Sequence, residues 1–440
     1  DERLGRDAAP RRQGRLRLGH REEHTAKADL VLCADRNPLI RALDGSAAQP
    51  AAAHEHMVTL PLLHYRLSGD LIVTMVRSMA TDSQEQLAPL RQRIDELDKR
   101  IVDLLNERAN AVKQIGMVKQ RTDTPIYAPD REQRVLQQIR QYNRGLLSDS
   151  CLEAIWREVM SASFALERPL RVGFLGPMGS FSHLTARRKF GASVLYDPLD
   201  SIQCVFDQVV RDHIDLGLVP IENSTHGGVH ETLDALLDSP VHVYAEVLIG
   251  VHHNVLSNCS VDQIKRVYSK PEVFSQCRRW LNAKLPQAER IPEASSARAA
   301  ERCSSEPNSA AIGSSLAAEL YGLHVQFANI EDNPSNTTRF FVISSRTANA
   351  SGDDKTAMLF TTAHQPGALV AVLDVFRDHG LNLTHIDKRP SPHVNWEYFF
   401  FIDLLGHCLD SNIERAIEKA RKHCLQLTVL GSFPRAKEVM

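Results

Sequence analysis

The 440-residue chain sets 52 Lys and Arg against 54 Asp and Glu, a formal net charge of −2. That balance leaves no overall field to hold nucleic acid or an anionic membrane. No apolar run reaches the roughly 18 residues of a membrane span, since the longest candidate, Leu236 to Val251, is broken by Asp238, Pro240, His242 and Glu246. Eight scattered cysteines with no CxxC pair point to free thiols in a reducing, cytoplasmic setting rather than a disulfide framework or a zinc site.

The length suggests about three domains, and the style of the sequence changes at recognisable points. Residues 1–78 carry basic clusters such as "RRQGRLRLGHR" and a small-residue patch without sustained periodicity. They are expected to be a disordered or artefactual extension, with Met79 as a natural start. Residues 79–168 read as helices. Leu90, Ile94, Leu97, Ile101 and Leu104 step by four and three as a heptad seam, continued through Ala111, Ile115 and Val118. Pro125 and Pro129 end that helix; a second is expected to start from an Asp130 cap and close at Gly145, and a third to run from Ser148 or Asp149. Three such helices cannot bury the seam alone, so a dimer is expected.

From Pro169 the pattern becomes α/β, with strands in "LRVGFLG", "DLGLVPIENS", "VHVYAEVLIGVHHNVL", "RVYSK", "SAAIG" and "TRFFVISS", and this domain is taken as 169–345. A linker at 346–355 leads to 356–440. There strand, helix, strand, strand, helix, strand follow in the ferredoxin-like order.

Certain residues stand out within this frame. The seam should place an apolar residue at 108 and instead places Arg108; Lys119 follows eleven residues, close to three turns, later and faces the same way. Cations there need an anion or hydration, although long side chains that snorkel out of the bundle are an equal alternative. Arg91 is a quarter turn off and could serve a partner chain's site rather than its own. Arg131 and Glu132 open the second helix, where an anion would offset the dipole's dislike of Arg. In the α/β part, Gly173, Gly176 and Gly179 are spaced GxxGxxG, which disfavours a nicotinamide fold. "VPIENS" brings Glu222, Asn223 and Ser224 to a strand end, and "SNTTRF" brings Thr338 and Arg339 to another.

"LAPLRQRIDELDKRIVDLLNERANAVKQIGMVKQ" with "YAPDREQRVL" resembles the all-helical chorismate mutase family. The resemblance implies a pocket of Arg91 from the other subunit, Arg108, Lys119, Arg131, Glu132, Ser163 and Glu167. Catalysis there is pericyclic: cations hold a dianion in a chair-like conformer and stabilise charge on the ether oxygen, with Lys119 on one side of it. Glu167, where some relatives have Gln, is expected to be kept as the neutral acid by burial; Ala128 stands where relatives can carry Asp. "GPMGSFS", "VPIENS", "VYSKPEVFSQC" and "SNTTRF" together resemble the prephenate dehydratase family, which implies two α/β subdomains of periplasmic-binding-protein type around a cleft. By that resemblance Thr338 hydrogen-bonds the departing ring hydroxyl, with relay through Glu222 or water. Arg339 holds a substrate carboxylate, and Ser180, Asn223 and Ser224 are binding donors. The C-terminal part resembles an ACT domain. It implies phenylalanine sensing by Gly367, Ala368, Leu369, Asp387 and Arg389, with Asp387 and Lys388 replacing the family's Glu-Ser.

The implied protein is a two-activity enzyme of phenylalanine biosynthesis that acts on chorismate and prephenate and is inhibited by phenylalanine. It needs no cofactor or metal and forms a homodimer or higher homo-oligomer. A mutase that has lost function and a non-catalytic sensor are the alternatives.

Overall fold

The computed structural model divides into two units, 1–83 and 84–440. It describes the backbone of 69–122, 124–390 and 398–440. The expectation for residues 1–78 therefore falls outside the described residues, except that 69–78 are helical.

Helix α1 (Gly69–Thr122) ends before the two prolines, and α2 (Pro129–Tyr142) and α3 (Asp149–Glu167) follow. The α2 N-cap is Ala128, with Pro129 in the first turn, so Asp130 is not the cap expected above. Its pre-set φ suits Pro to that place. The Ser148 side chain caps α3 by accepting from Cys151 N at 3.2 Å. The α1 seam stays open: Leu90, Ile94, Ile101 and Leu104 are each more than half exposed.

Next come β1 (Arg171–Leu175), α4 (Phe181–Phe190), β2 (Leu195–Leu199), α5 (Ile202–Val210), β3 (Leu216–Asn223), β4 (Gly227–Gly228), α6 (His230–Asp238) and β5 (His242–Gly250). The chain then leaves for β6 (Asn254–Ser257), β7 (Arg266–Ser269), α7 (Pro271–Gln276), α8 (Arg278–Lys284), β8 (Glu289–Pro292), α9 (Ser296–Ser305), β9 (Ser309–Gly313), α10 (Ser315–Tyr321) and β10 (His324–Phe327). It returns as β11 (Thr337–Ser344). Two sheets result. One runs β2-β1-β3-β11-β5 with β4 on β3; the other is β10-β6-β9-β7-β8. The run "VHVYAEVLIGVHHNVL", expected as strand, is two strands in different sheets, with the crossover at Val251–His253. The α/β domain is thus two subdomains joined by two crossings, as expected.

Strand β12 (Asp354–Thr361), α11 (Ala368–Asp378), β13 (Leu383–Pro390), β14 (Tyr398–Leu405), α12 (Ser411–Arg421) and β15 (Gln426–Pro434) form a third sheet, β13-β14-β12-β15, in the expected ferredoxin-like order. Met358, Phe360, Ile402 and Leu404 cover α11 and α12 on one face. Ala357, Leu359, Phe399, Phe401 and Phe433 on the other join the core of the first α/β subdomain.

The first α/β sheet therefore has two different faces. Phe174, Leu218, Val247, Phe340 and Val342 pack with α4 and Tyr127. Val219, Ile221, Phe341 and Ile343 pack with α5, α6 and the C-terminal sheet. Alternation along β11 sends Thr338 to the first face and Arg339 to the second. β3 carries a bulge opposite Arg339/Phe340, where Arg339 pairs with Glu222 and Phe340 with Pro220. One extra residue reverses the alternation, so Glu222 shares Arg339's face and Asn223 shares that of Thr338.

Candidate functional sites

In the helical domain, α1 and α3 bring four of the expected residues together as two pairs. Arg108 Nη1 donates to Ser163 Oγ at 2.6 Å, and that hydroxyl donates to Val159 O at 2.7 Å. Burial and then the Arg131 charge hold the Arg108 pKa below its ordinary value, so Arg131 stands close by. About three turns further along α1, Lys119 Nζ lies 2.9 Å from Glu167 Oε2 and donates to Ile126 O at 3.0 Å. Glu167, expected to face the substrate as a neutral acid, lies here in an ion pair with Lys119. Arg91 lies about 25 Å along the same helix from Arg108 and does not join this cluster.

Glu132 departs from expectation. Its Oε2 accepts from Tyr127 Oη and from Lys189 Nζ, both at 2.7 Å, so it faces α4 of the next domain rather than Arg108. Burial first, then this carboxylate, push the Tyr127 hydroxyl well above its ordinary pKa. Gly116 is a residue that sequence reasoning missed. A Cβ there would meet Glu167 Cγ at 3.2 Å and its Cα at 3.3 Å. The absence of a side chain lets α3 come close enough for Glu167 to reach Lys119. A cavity of about 650 Å³ opens beside this pair, lined also by Gln120, Tyr127, Tyr244 and Arg346.

In the α/β domain, β3 and β11 join Asn223 to Thr338. Asn223 Nδ2 donates to Thr338 Oγ1 at 2.8 Å and to Asn336 Oδ1 at 3.0 Å. Asn223 Oδ1 accepts from Thr225 N at 2.9 Å and His226 N at 3.1 Å. With its oxygen already accepting, the Thr338 hydroxyl keeps its own proton to donate. Ser224 Oγ accepts from Thr337 N at 3.0 Å and so ties the loop to the strand. Ser180 caps α4, accepting from His183 N and donating to Leu175 O, both at 3.2 Å. Its hydroxyl is thus spent on the turn rather than free as a binding donor. His183 Nδ1 accepts from Gly179 N at 3.1 Å and its ring stacks on Phe174. Burial, then the Arg187 charge, bring its pKa down to about 4.

Two residues expected at the substrate lie behind the sheet. Arg339 Nε and Nη2 reach Glu246 Oε2 at 2.8 and 2.7 Å, and Nη1 reaches Asp403 Oδ2 at 2.6 Å. Burial disfavours its charge, but Asp403 and Glu246 outweigh that and raise its pKa. Lys355 Nζ joins Glu246 Oε1 at 3.1 Å. Held by two carboxylates, Arg339 is not a free ligand for a substrate carboxylate. Glu222 Oε2 is likewise on that face, 3.4 Å from His385 Nδ1. The β3 bulge and strand alternation are the physical cause in both cases.

In the C-terminal domain the five expected residues separate. Ala368 and Leu369 line a cavity of about 120 Å³ with Thr362, Gln365, Tyr398 and Phe400. Gly367, at φ +84°, caps α11 beside it. Asp387 and Arg389 instead face the catalytic domain. Arg389 makes two bonds to Asp234, Nε to Oδ1 at 2.9 Å and Nη2 to Oδ2 at 2.6 Å. Asp387 sits over Gly228, where a Cβ would meet its Oδ2 at 2.3 Å.

Cations gathered on the helices and a hydroxyl-bearing strand pair in a two-subdomain α/β domain are the material of an enzyme, and both domains match known enzyme families. The chorismate mutase type II family model matches residues 90–168, and the prephenate dehydratase model matches 172–348. The bifunctional chorismate mutase/prephenate dehydratase of Stutzerimonas stutzeri is 43% identical over 80% of this chain and 98% of its own. That of Pseudomonas aeruginosa is 41% identical over 80% and 99%. Among solved structures, the prephenate dehydratase from Arthrobacter aurescens in complex with L-Phe aligns with a TM-score of 0.57 at 31% identity, over 60% of this chain and 90% of that one. The chain belongs to the bifunctional chorismate mutase/prephenate dehydratase family, and it carries both enzymatic domains. Among the described residues, no helix is long and apolar enough to cross a membrane.

Proposed function

We propose that the helical domain, 79–168, rearranges chorismate with Arg108, Lys119, Arg131 and Ser163 as its own contribution and Arg91 supplied by a second copy. The distance of Arg91 from Arg108 and the open seam of α1 support a homodimer. Lys119 meets the ether oxygen and Glu167 orients Lys119. Glu132 contributes from behind, through Tyr127 and Lys189.

The domain at 169–345 then dehydrates prephenate. CO2 leaves with the ring hydroxyl, the electrons of the breaking C–C bond make the ring aromatic, and phenylpyruvate results. Thr338 donates a hydrogen bond to the departing oxygen, and Asn223 and Asn336 hold it in place. The observation that carries this reading is the Asn223–Thr338 bond, in which the hydroxyl oxygen accepts and its proton is left to donate.

The segment 356–440, after a linker at 346–355, acts as an ACT domain that senses phenylalanine in a cytoplasmic enzyme. Its ferredoxin-like order, the cavity at Ala368 and Leu369, and the L-Phe named for the Arthrobacter aurescens structure support this. Asp387 and Arg389 would act by docking the domain onto α6 and β4 rather than by touching the effector.

The test supplies chorismate or prephenate separately to the purified chain, with and without phenylalanine, and follows phenylpyruvate. Product from both substrates, suppressed by phenylalanine, is expected. Product from prephenate alone would remove the mutase reading.

A further inference from the structure

We propose that Arg339, clamped between Glu246 and Asp403, is a positioning residue through which the C-terminal domain sets the placement of the Thr338 hydroxyl. The proposal rests on the reading of Thr338 as the dehydration donor.

Arg339 follows Thr338 in one strand, so their Cα atoms are about 3.8 Å apart and their side chains take opposite faces. On the reverse face the guanidinium lies between two carboxylates: Nε donates to Glu246 of the neighbouring strand, Nη2 lies 2.7 Å from the same carboxylate, and Nη1 lies 2.6 Å from Asp403 of β14. Lys355 of β12 also binds Glu246, and the backbone N–H of Ala436, just past β15, donates to Glu246 Oε1 at 2.9 Å. Two cations and two anions thus cancel in a place where Arg339 and Asp403 are 7% and 3% exposed. The C-terminal domain supplies Asp403 and Lys355 to this group and the catalytic sheet supplies Arg339 and Glu246.

A buried charge cluster of this kind resists partial separation, because pulling Asp403 away from Arg339 would leave buried charge less compensated. A displacement of the C-terminal sheet is therefore passed to β11 rather than absorbed by solvent. Glu222, whose neighbour in sequence is Asn223, makes a second and looser contact with the same domain, 3.4 Å to His385 of β13. The two strands whose front carries the Asn223–Thr338 bond are both held from behind by the same domain.

The test is Asp403→Asn in the full chain, with turnover of chorismate as an internal control and Asp403→Glu as a variant that keeps the charge. Asp403→Asn is expected to lower kcat for prephenate about tenfold, the scale of a sub-ångström misplacement. KM should change less than about twofold and mutase turnover should hold. Asp403→Glu should recover most of the kcat loss. A raised KM with unchanged kcat would mean that this end of β11 binds substrate rather than positions Thr338, and overturns the proposal. A loss of both activities together, or no change in kcat, overturns it too. Thr338→Ala measured alongside separates the two readings. If it keeps full dehydration, the role of Thr338 is wrong. If it loses dehydration while Asp403→Asn loses none, only the link from the C-terminal domain is wrong.

Discussion

The two proposed active sites are built from opposite materials. The mutase site hangs long charged side chains on helices whose apolar seam faces outward, and Arg91 lies too far from Arg108 to serve its own chain's pocket. The dehydratase site uses short side chains, Asn223, Asn336 and Thr338, fixed by strand register and by each other. On the proposed reading the first site borrows a residue from a second copy, while the residues proposed for the second all come from one chain. The largest expected effect follows from the second. Thr338→Ala removes the hydroxyl that Asn223 holds, and dehydration should fall about a thousandfold or more, as for loss of a preorganised donor. Chorismate turnover, measured in the same sample, should remain within twofold.

A change in the seam probes the other half of the comparison. Ile101 is 53% exposed in the single chain. Ile101→Asp puts a charge where a partner helix is proposed to pack, which disfavours association by the cost of burying an unpaired carboxylate. Mutase turnover should fall about a hundredfold while prephenate turnover falls far less, because only the helical site borrows a residue. Equal loss at both sites would show that the dehydratase is no more self-sufficient than the mutase.

The sequence reveals these two sites unequally. Arg108 and Lys119 are legible because helical spacing alone puts them on one face, and the structure brings both against α3. Thr338 and Arg339 are legible as a strand entry, and period-two alternation already forbids them from sharing a target. That signal was sufficient to send Arg339 behind the sheet. Glu222 is different. Without the bulge at Ile221–Glu222 it would face the cleft and Asn223 would not. A bulge depends on how two distant strands pair, so nothing local in "VPIENS" announces it. The same holds for Glu132, whose partner Lys189 lies 57 residues away, and for Asp387 and Arg389, whose partners belong to another domain. Local pattern identifies which side chains are unusual; long-range packing decides what they touch.

A smaller effect tests how firmly the α/β site is locked. His183 lies under the loop that Ser180 caps, and its pKa is brought down to about 4 from the ordinary 6.5. The unfolded chain therefore binds a proton between these values that the folded chain refuses. Stability from this group is complete above about pH 6.5 and is lost as pH falls toward 4. His183→Asn, whose side-chain oxygen can still accept from Gly179 N, should flatten that part of the pH–stability curve. Urea midpoints at pH 7 and pH 5 would show it, with the wild-type difference larger by about 1–2 kcal/mol.

The smallest effect sharpens the comparison most, because two forces of similar size oppose each other at Gly116. Alanine is a better helix former than glycine by about 1 kcal/mol, so Gly116→Ala should strengthen α1. The new Cβ, however, would stand 3.2 Å from Glu167 Cγ and 3.3 Å from its Cα. A side-chain atom can swing aside; the Cα can move only if α3 shifts by a few tenths of an ångström. Overpacking of this kind costs about 1–3 kcal/mol, so the net change in stability should be near zero or slightly unfavourable. Activity responds differently, since helix propensity does nothing for the Lys119–Glu167 pair while a displaced α3 loosens it. Mutase kcat should drop about fivefold with Tm nearly constant, and dehydration should be untouched. A Tm rise with full mutase activity would mean that α3 gives way freely, and that the close approach at Gly116 is incidental to the site.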